Sequence, residues 1–290
     1  MMRTLEDGDQ ILRHEIDSIS ESMQLADKGP CVCAASRPHH ASWRRSANSS
    51  NEWNGGFPKL EHWMANGLPS RFMDNYERAR EELNKTISPP QRRRRKLRVN
   101  REEGCEIDPT MWASGSMQCW HDIHHTAQHM PLVRIGADVT LMAADDEESM
   151  TWRGTAAIAL CDLLTKFGIN TEMYVYENGN YAWDRHGTRY PNAMYVNKVM
   201  VKQAHEVISP QNTLIAFATK EYSRTVMHGL IHVLAPYRSN PGLGGYGRLG
   251  AREHRDTDVM IDHHIKDLES AVDFVRTSLS RFSGKERCAQ

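Results

Sequence analysis

From Leu132 onward the apolar residues alternate between strand and helix spacing. Leu132 to Met142 (LVRIGADVTLM) has the length and character of a strand. Thr151 to Phe167 repeats an apolar face through Ala156, Leu160, Leu163, Leu164 and Phe167, which predicts a helix. Gly168 stands where a helix-ending glycine belongs, and Thr171 to Tyr176 (TEMYVY) reads as a second strand. A strand, a helix and a strand in that order imply a right-handed crossover and a parallel pair. Met194 to Val201 then reads as an antiparallel edge strand. Ser209-Pro210 is a capped helix start, with helical character continuing to Leu234 in two pieces. Asp258 to Ile261 is a short last strand and Lys266 to Phe282 a closing amphipathic helix.

Upstream the pattern is weaker. Leu12, Ile16, Ile19 and Met23 have the spacing of one amphipathic helix, but the residues after Pro30 are small, polar and basic. Such a segment buries too little to offset its ordering entropy, so residues 1–50 are expected to be a flexible tail. Residues 51–130 are expected to be helical or irregular, with helices over Leu60 to Met64, Phe72 to Leu83 and Met117 to His129. Residues 131–283 form the predicted α/β domain, and 284–290 a C-terminal tail.

Composition removes several classes of function. The 290 residues carry 36 basic and 37 acidic side chains, so no global field favours nucleic acid or an anionic membrane. Six cysteines, none in a Cys-x-x-Cys pair, support neither a zinc ribbon nor a thioredoxin-type site and fit a reducing cytosol. No apolar run approaches the ~20 residues of a membrane span, and the polar, acidic start is not a secretory signal. The expectation is a soluble cytoplasmic protein.

Several short pieces carry a resemblance. They are Trp53-x-Gly55-Gly56 with Leu60 to Gly67, and Ile107-Asp108 through Trp112-Ala113-Ser114-Gly115 to Cys119-Trp120. Trp152-Arg153-Gly154-Thr155-Ala156-Ala157 and Gly245-Tyr246-Gly247-Arg248 complete the set. With the element order, they resemble an uncharacterised family of phage and bacterial proteins containing a von Willebrand factor A-like domain. The resemblance implies a three-layer Rossmann-like fold with a mainly parallel sheet after a mostly helical N-terminal region. It also implies partner binding at the carboxyl edge of the sheet, in an accessory protein working in a bacterial host cytoplasm.

Metal-binding A domains hold Mg²⁺ with Asp-x-Ser-x-Ser at the end of the first strand. Here the matching residues are Asp138-x-Thr140-x-Met142, and a thioether in the third place does not suit a hard cation. Asp262 is the neighbour expected at the same edge, with Thr219 a weaker one. The reading is a decayed metal site: no cofactor, with Mg²⁺ on Asp138, Thr140 and Asp262 as the alternative.

Other chemistry is sparse. His121, His125 and His129 would share one face of a helix and could chelate a transition metal, although the His-Glu-x-x-His arrangement is missing. His228 and His232 sit in an apolar run and read as packed histidines. His263 and His264 follow the last strand. Arg92, Arg93, Arg94, Arg95, Lys96 and Arg98 form a basic run able to contact phosphates, without interleaved aromatics. No catalytic signature occurs. The leading expectation is therefore a non-enzymatic module binding a protein partner. The alternatives are a metal-dependent hydrolase or nuclease using Asp138, Asp262 and His263/His264, and a nucleic-acid-binding accessory acting through Arg92 to Arg98.

Overall fold

The computed structural model describes residues 2–7, 9–29, 37–49, 55–87, 100–101, 106–121, 132–139, 146–180, 194–234, 256–261 and 264–283. The chain divides into two compact units, residues 1–88 with 132–290, and residues 89–131.

In the first unit β6 (Leu132–Asp138) turns Val133, Ile135 and Ala137 inward. The helix α6 (Glu147–Lys166) follows, opened by Asp146, whose carboxylate accepts the Ser149 N–H at 2.6 Å. That bond, first among the causes, holds the Asp146 carboxyl below the usual range. Gly168 takes φ 78° after the helix, and β7 (Asn170–Asn180) then pairs parallel with β6. The strand β8 (Met194–Lys202) runs antiparallel to β7, with a register break at Met173/Tyr174. On the other side of β6, β9 (Val259–Ile261) pairs parallel. The α/β core thus follows the order read from the sequence.

The N-terminal segment differs from that reading. Residues 1–50 were expected as a flexible tail, yet β1 (Met2–Asp7) and β2 (Asp9–Ile16) form a hairpin, and β2 adds to the sheet parallel to β8. The sheet order is β1-β2-β8-β7-β6-β9. The spacing of Leu12, Ile16, Ile19 and Met23 straddles two elements, because Asp17 and Ser18 break it. Ser18 accepts the Glu21 N–H at 3.1 Å and Glu21 accepts the Asp17 N–H at 2.8 Å, a reciprocal cap that starts α1 (Ile19–Lys28). The polar helix α2 (Arg37–Asn48) is held by Trp43 and Ala47, one turn apart and buried. Gly229 makes room for the indole: a Cβ there would lie 2.4 Å from the Trp43 ring.

The helices α3 (Gly56–Asn66) and α4 (Ser70–Thr86) also belong to this unit, so the expected boundary near residue 131 does not separate them from the sheet. After β8 come α7 (Pro210–Ala218), capped by Ser209, a π-helical turn (Tyr222–Met227) and α8 (His228–Leu234). The closing helix is α9 (Leu268–Ser283).

Among the described residues the helices pack against one face of the sheet. One core joins Val133, Ile135, Val175 and Val199 to residues of α1, α6, α7, α8 and α9. Against the opposite sheet face Tyr174, Tyr176 and Val196 cluster with Met200 and Met260, and among the described residues no helix joins them. A third layer is stacked outside the second: Phe72 and Tyr76 of α4 pack on Ile158 of α6 and Leu214 of α7. This explains why α6 is buried around its circumference, from Ser149 to Cys161, where a helix facing one sheet shows a single apolar stripe.

The second unit contains a small sheet in the order β3 (Asn100–Arg101), β5 (Trp120–His121), β4 (Glu106–Ile107), all antiparallel. Between β4 and β5 lies the short helix α5 (Pro109–Ala113), capped by Asp108, which accepts from Thr110 N at 2.9 Å. Of the expected helix from Met117 to His129, residues 117–121 are not helical and 122–129 lie outside the described residues. Gly115 at φ 78° turns the chain and the Asp108 N–H donates to the Cys119 carbonyl at 2.7 Å, which directs Trp120 and His121 into a strand.

Candidate functional site

The carboxyl ends of β6 and β7 bring several buried polar groups together inside the first unit. Asp138 ends β6 opposite Tyr176. Next to it the Val139 N–H donates to the Tyr176 carbonyl at 2.9 Å, and the Val139 carbonyl accepts the Ser223 hydroxyl at 2.5 Å. Ser223 and Tyr222 come from the π-helical turn, a local geometry that recurs at functional sites. Thr219 is fully buried and donates to the Ile215 carbonyl at 2.6 Å while accepting the Tyr222 N–H at 3.2 Å. Its hydroxyl serves the helix end. The Tyr222 hydroxyl meets Ser22 of α1 at 2.8 Å.

Glu177 occupies an inward position of β7, two residues beyond Val175, where a strand facing a core should present an apolar side chain. Its direct neighbour on β8 is Asn197, whose neighbour on β2 is His14. All three are buried, and His14 Nδ1 lies 3.0 Å from Asn197 Oδ1. Burial drives the Glu177 carboxyl well above the usual range; Asn197 opposes the shift and the Asp138 charge adds to it. Burial also lowers His14, with Asn197 opposing and the N-terminal amine reinforcing. Both shifts favour the neutral forms. The Tyr222 hydroxyl is raised by burial first and by the Glu177 charge as well, with Ser22 opposing.

The row is enclosed, so its groups are placed to hold protons and orient neighbours rather than to meet a substrate. Among the described residues no three His, Cys, Asp or Glu side chains converge to hold a metal ion. Of the predicted ligands, Asp138 is placed beside Glu177, while Thr140 and Asp262 lie outside the described residues. His264 is exposed in the turn after β9, and His263 lies outside the described residues. His121 is on strand β5 opposite Asn100 and Glu106, not on a helix, and His125 and His129 lie outside the described residues. The basic run Arg92 to Arg98 lies outside them as well. His228 and His232 pack ring against ring at 5.0 Å, with Trp43 5.9 Å from His232.

A second buried carboxylate was not singled out from sequence. Glu221, fully buried, receives Lys59 of α3 at 2.5 Å, and Lys59 also sits 4.7 Å over the Trp63 ring. Gly55 explains part of one quoted motif: it has φ 68°, and a Cβ there would lie 2.2 Å from Glu221 Cγ.

The exposed apolar groups are found mainly in the second unit. Ile107 is 43 % exposed, Trp112 62 % and Met117 78 %. Asp108 and Gly115 fix the turn that displays them, while Cys119 beside them is buried. The sequence signal was present, since large apolar residues there follow neither a 3.6 nor a 2 period. Glu177 had a signal too, as a charge at an inward strand position.

Residues 4–285 match the model of a family described as a domain of unknown function (DUF7192). No curated protein and no solved structure matches the chain. No helix of the described residues is long and apolar enough to cross a membrane.

Proposed function

The chain belongs to the DUF7192 family, whose description names no activity, and from its own surface we propose that it is a non-catalytic module binding a protein partner. The observation that carries this reading is the exposure of Trp112 and Met117, 62 % and 78 %, on a turn whose backbone is capped and hydrogen-bonded. A rigidly presented indole is the kind of side chain that dominates protein interfaces. Only Glu106 and Asp108 are charged between Glu106 and Trp120, so the partner surface is apolar, with a pocket for an indole and a neutral or basic rim.

The order β8-β7-β6-β9 with an antiparallel β8 supports a von Willebrand factor A-like reading of the core. The quoted motifs support a place among phage and bacterial accessory proteins of the bacterial cytoplasm. A photo-crosslinking methionine analogue at position 117, used in bacterial lysate, should give one discrete adduct that Trp112→Ser abolishes. A crosslinker at exposed Glu81 of α4 should give none. An adduct that survives Trp112→Ser, or equal yields from both positions, rejects the reading.

A further inference from the structure

His14, Asn197 and Glu177 stand side by side on three adjacent strands, β2, β8 and β7, and all are more than nine-tenths buried. Each has one buried polar atom that makes no hydrogen bond of ordinary geometry, His14 Nε2, Asn197 Nδ2 and Glu177 Oε2, and Asn197 approaches Glu177 closely enough only to oppose the rise of its carboxyl. Such an atom left dry carries its full desolvation penalty, so three in one row point to something that satisfies them.

The donor and acceptor pattern identifies what fits. His14 Nδ1 and Asn197 Oδ1 are 3.0 Å apart, so with the ring donating there, Nε2 is an acceptor and Nδ2 a donor. Turning the amide over exchanges these roles and leaves one donor and one acceptor again. A cation would suit Nε2 but leave the amide N–H, and the O–H of a protonated Glu177, facing it. An anion would accept from those donors but meet the lone pair of Nε2. Only a ligand that donates and accepts meets both, and a buried water typically makes about three hydrogen bonds to such groups. We propose that the row is a buried solvent site, in which ordered water bridges His14, Asn197 and Glu177 and fastens the N-terminal hairpin to the sheet.

The consequence concerns the hairpin. Its inner face meets β8 through His14 and Ile16; on its outer face Glu15 meets Lys198 of β8 at 3.8 Å and Arg13 meets Asp256, ahead of β9, at 3.1 Å. The bridged row makes the inner attachment polar and directional, so it specifies register, which a greasy contact alone leaves open to slippage.

A high-resolution crystal structure of the full chain tests this directly. Ordered density within ~3.2 Å of at least two of the three atoms is expected; a row with no such density overturns the proposal. In solution, oxygen-17 relaxation dispersion of the solvent should detect long-residence water in the wild type. Asn197→Leu should remove that contribution and Ser22→Ala, which alters the Tyr222 and Ile19 contacts but none in the row, should keep it. His14→Leu reads the same loss from the hairpin side if Asn197→Leu does not fold. An unchanged signal in a folded Asn197→Leu or His14→Leu rejects the site.

Discussion

The two units use their conspicuous residues in opposite ways. In the first, the quoted motif residues that the structure describes are consumed by packing. Gly154 lets α6 approach α7 so closely that a Cβ would sit 2.5 Å from Ala218 Cβ and 3.1 Å from its backbone. Trp152 is buried with Arg78 5.7 Å over its ring. In the second unit, Asp108 and Gly115 do structural work, but Trp112 and Met117 project outward and support nothing among the described residues. A motif residue that packing explains says little about function, whereas one that packing leaves exposed is where a partner should be sought.

Substitutions can break this contrast. The largest effect is expected from Leu160→Ala, fully buried in α6, at about 2–5 kcal/mol of lost stability in chemical denaturation. A loss below about 1 kcal/mol would mean that α6 is not the centre of the core. Gly154→Ala comes next. The added methyl gains about 0.5–1 kcal/mol of helix propensity, but overpacking against the Ala218 backbone costs roughly 1–3 kcal/mol. A net loss is expected, and pairing with Ala218→Gly should recover part of it. Stabilisation by Gly154→Ala alone would show that the two helices are further apart.

Glu177→Gln is read as a slope. The raised carboxyl means that the folded protein keeps a proton the unfolded chain releases. Its contribution is complete below the ordinary glutamate value and is lost as pH rises toward the folded one, at up to about 1.4 kcal/mol per pH unit. His14 runs the other way: its lowered value removes stability as pH falls below the ordinary histidine value. Wild-type stability should therefore fall with rising pH relative to Glu177→Gln, and parallel profiles would contradict a buried, protonated Glu177. The smallest effect is expected at Trp112→Ser, within about 0.5 kcal/mol, despite complete loss of the partner adduct. A clear stability loss there would return Trp112 to the packing class.

Legibility followed the range of the interactions. The unit from β6 through α6 to β7 was readable because apolar period, the Asp146 cap and Gly168 all act within one or two turns of chain. Likewise Ser209-Pro210 announced α7 through its own cap. The N-terminal strand was misread because the spacing from Leu12 to Met23 imitates a helix, and only the reciprocal cap at Ser18 and Glu21 separates β2 from α1. The expected helix at Met117 failed at Gly115 for a similar local reason.

By itself the sequence determined the α/β core and the order of its elements, both carried by periodicity and caps. Only the tertiary structure decided that a second tier of helices stacks on the first, that a hairpin extends the sheet, and that His14, Asn197 and Glu177 form one row. Those three residues are brought together by strand register, His14 and Asn197 being 183 positions apart in sequence. A strand's partners depend on burial and pairing summed over the whole sheet, and no local pattern encodes that sum.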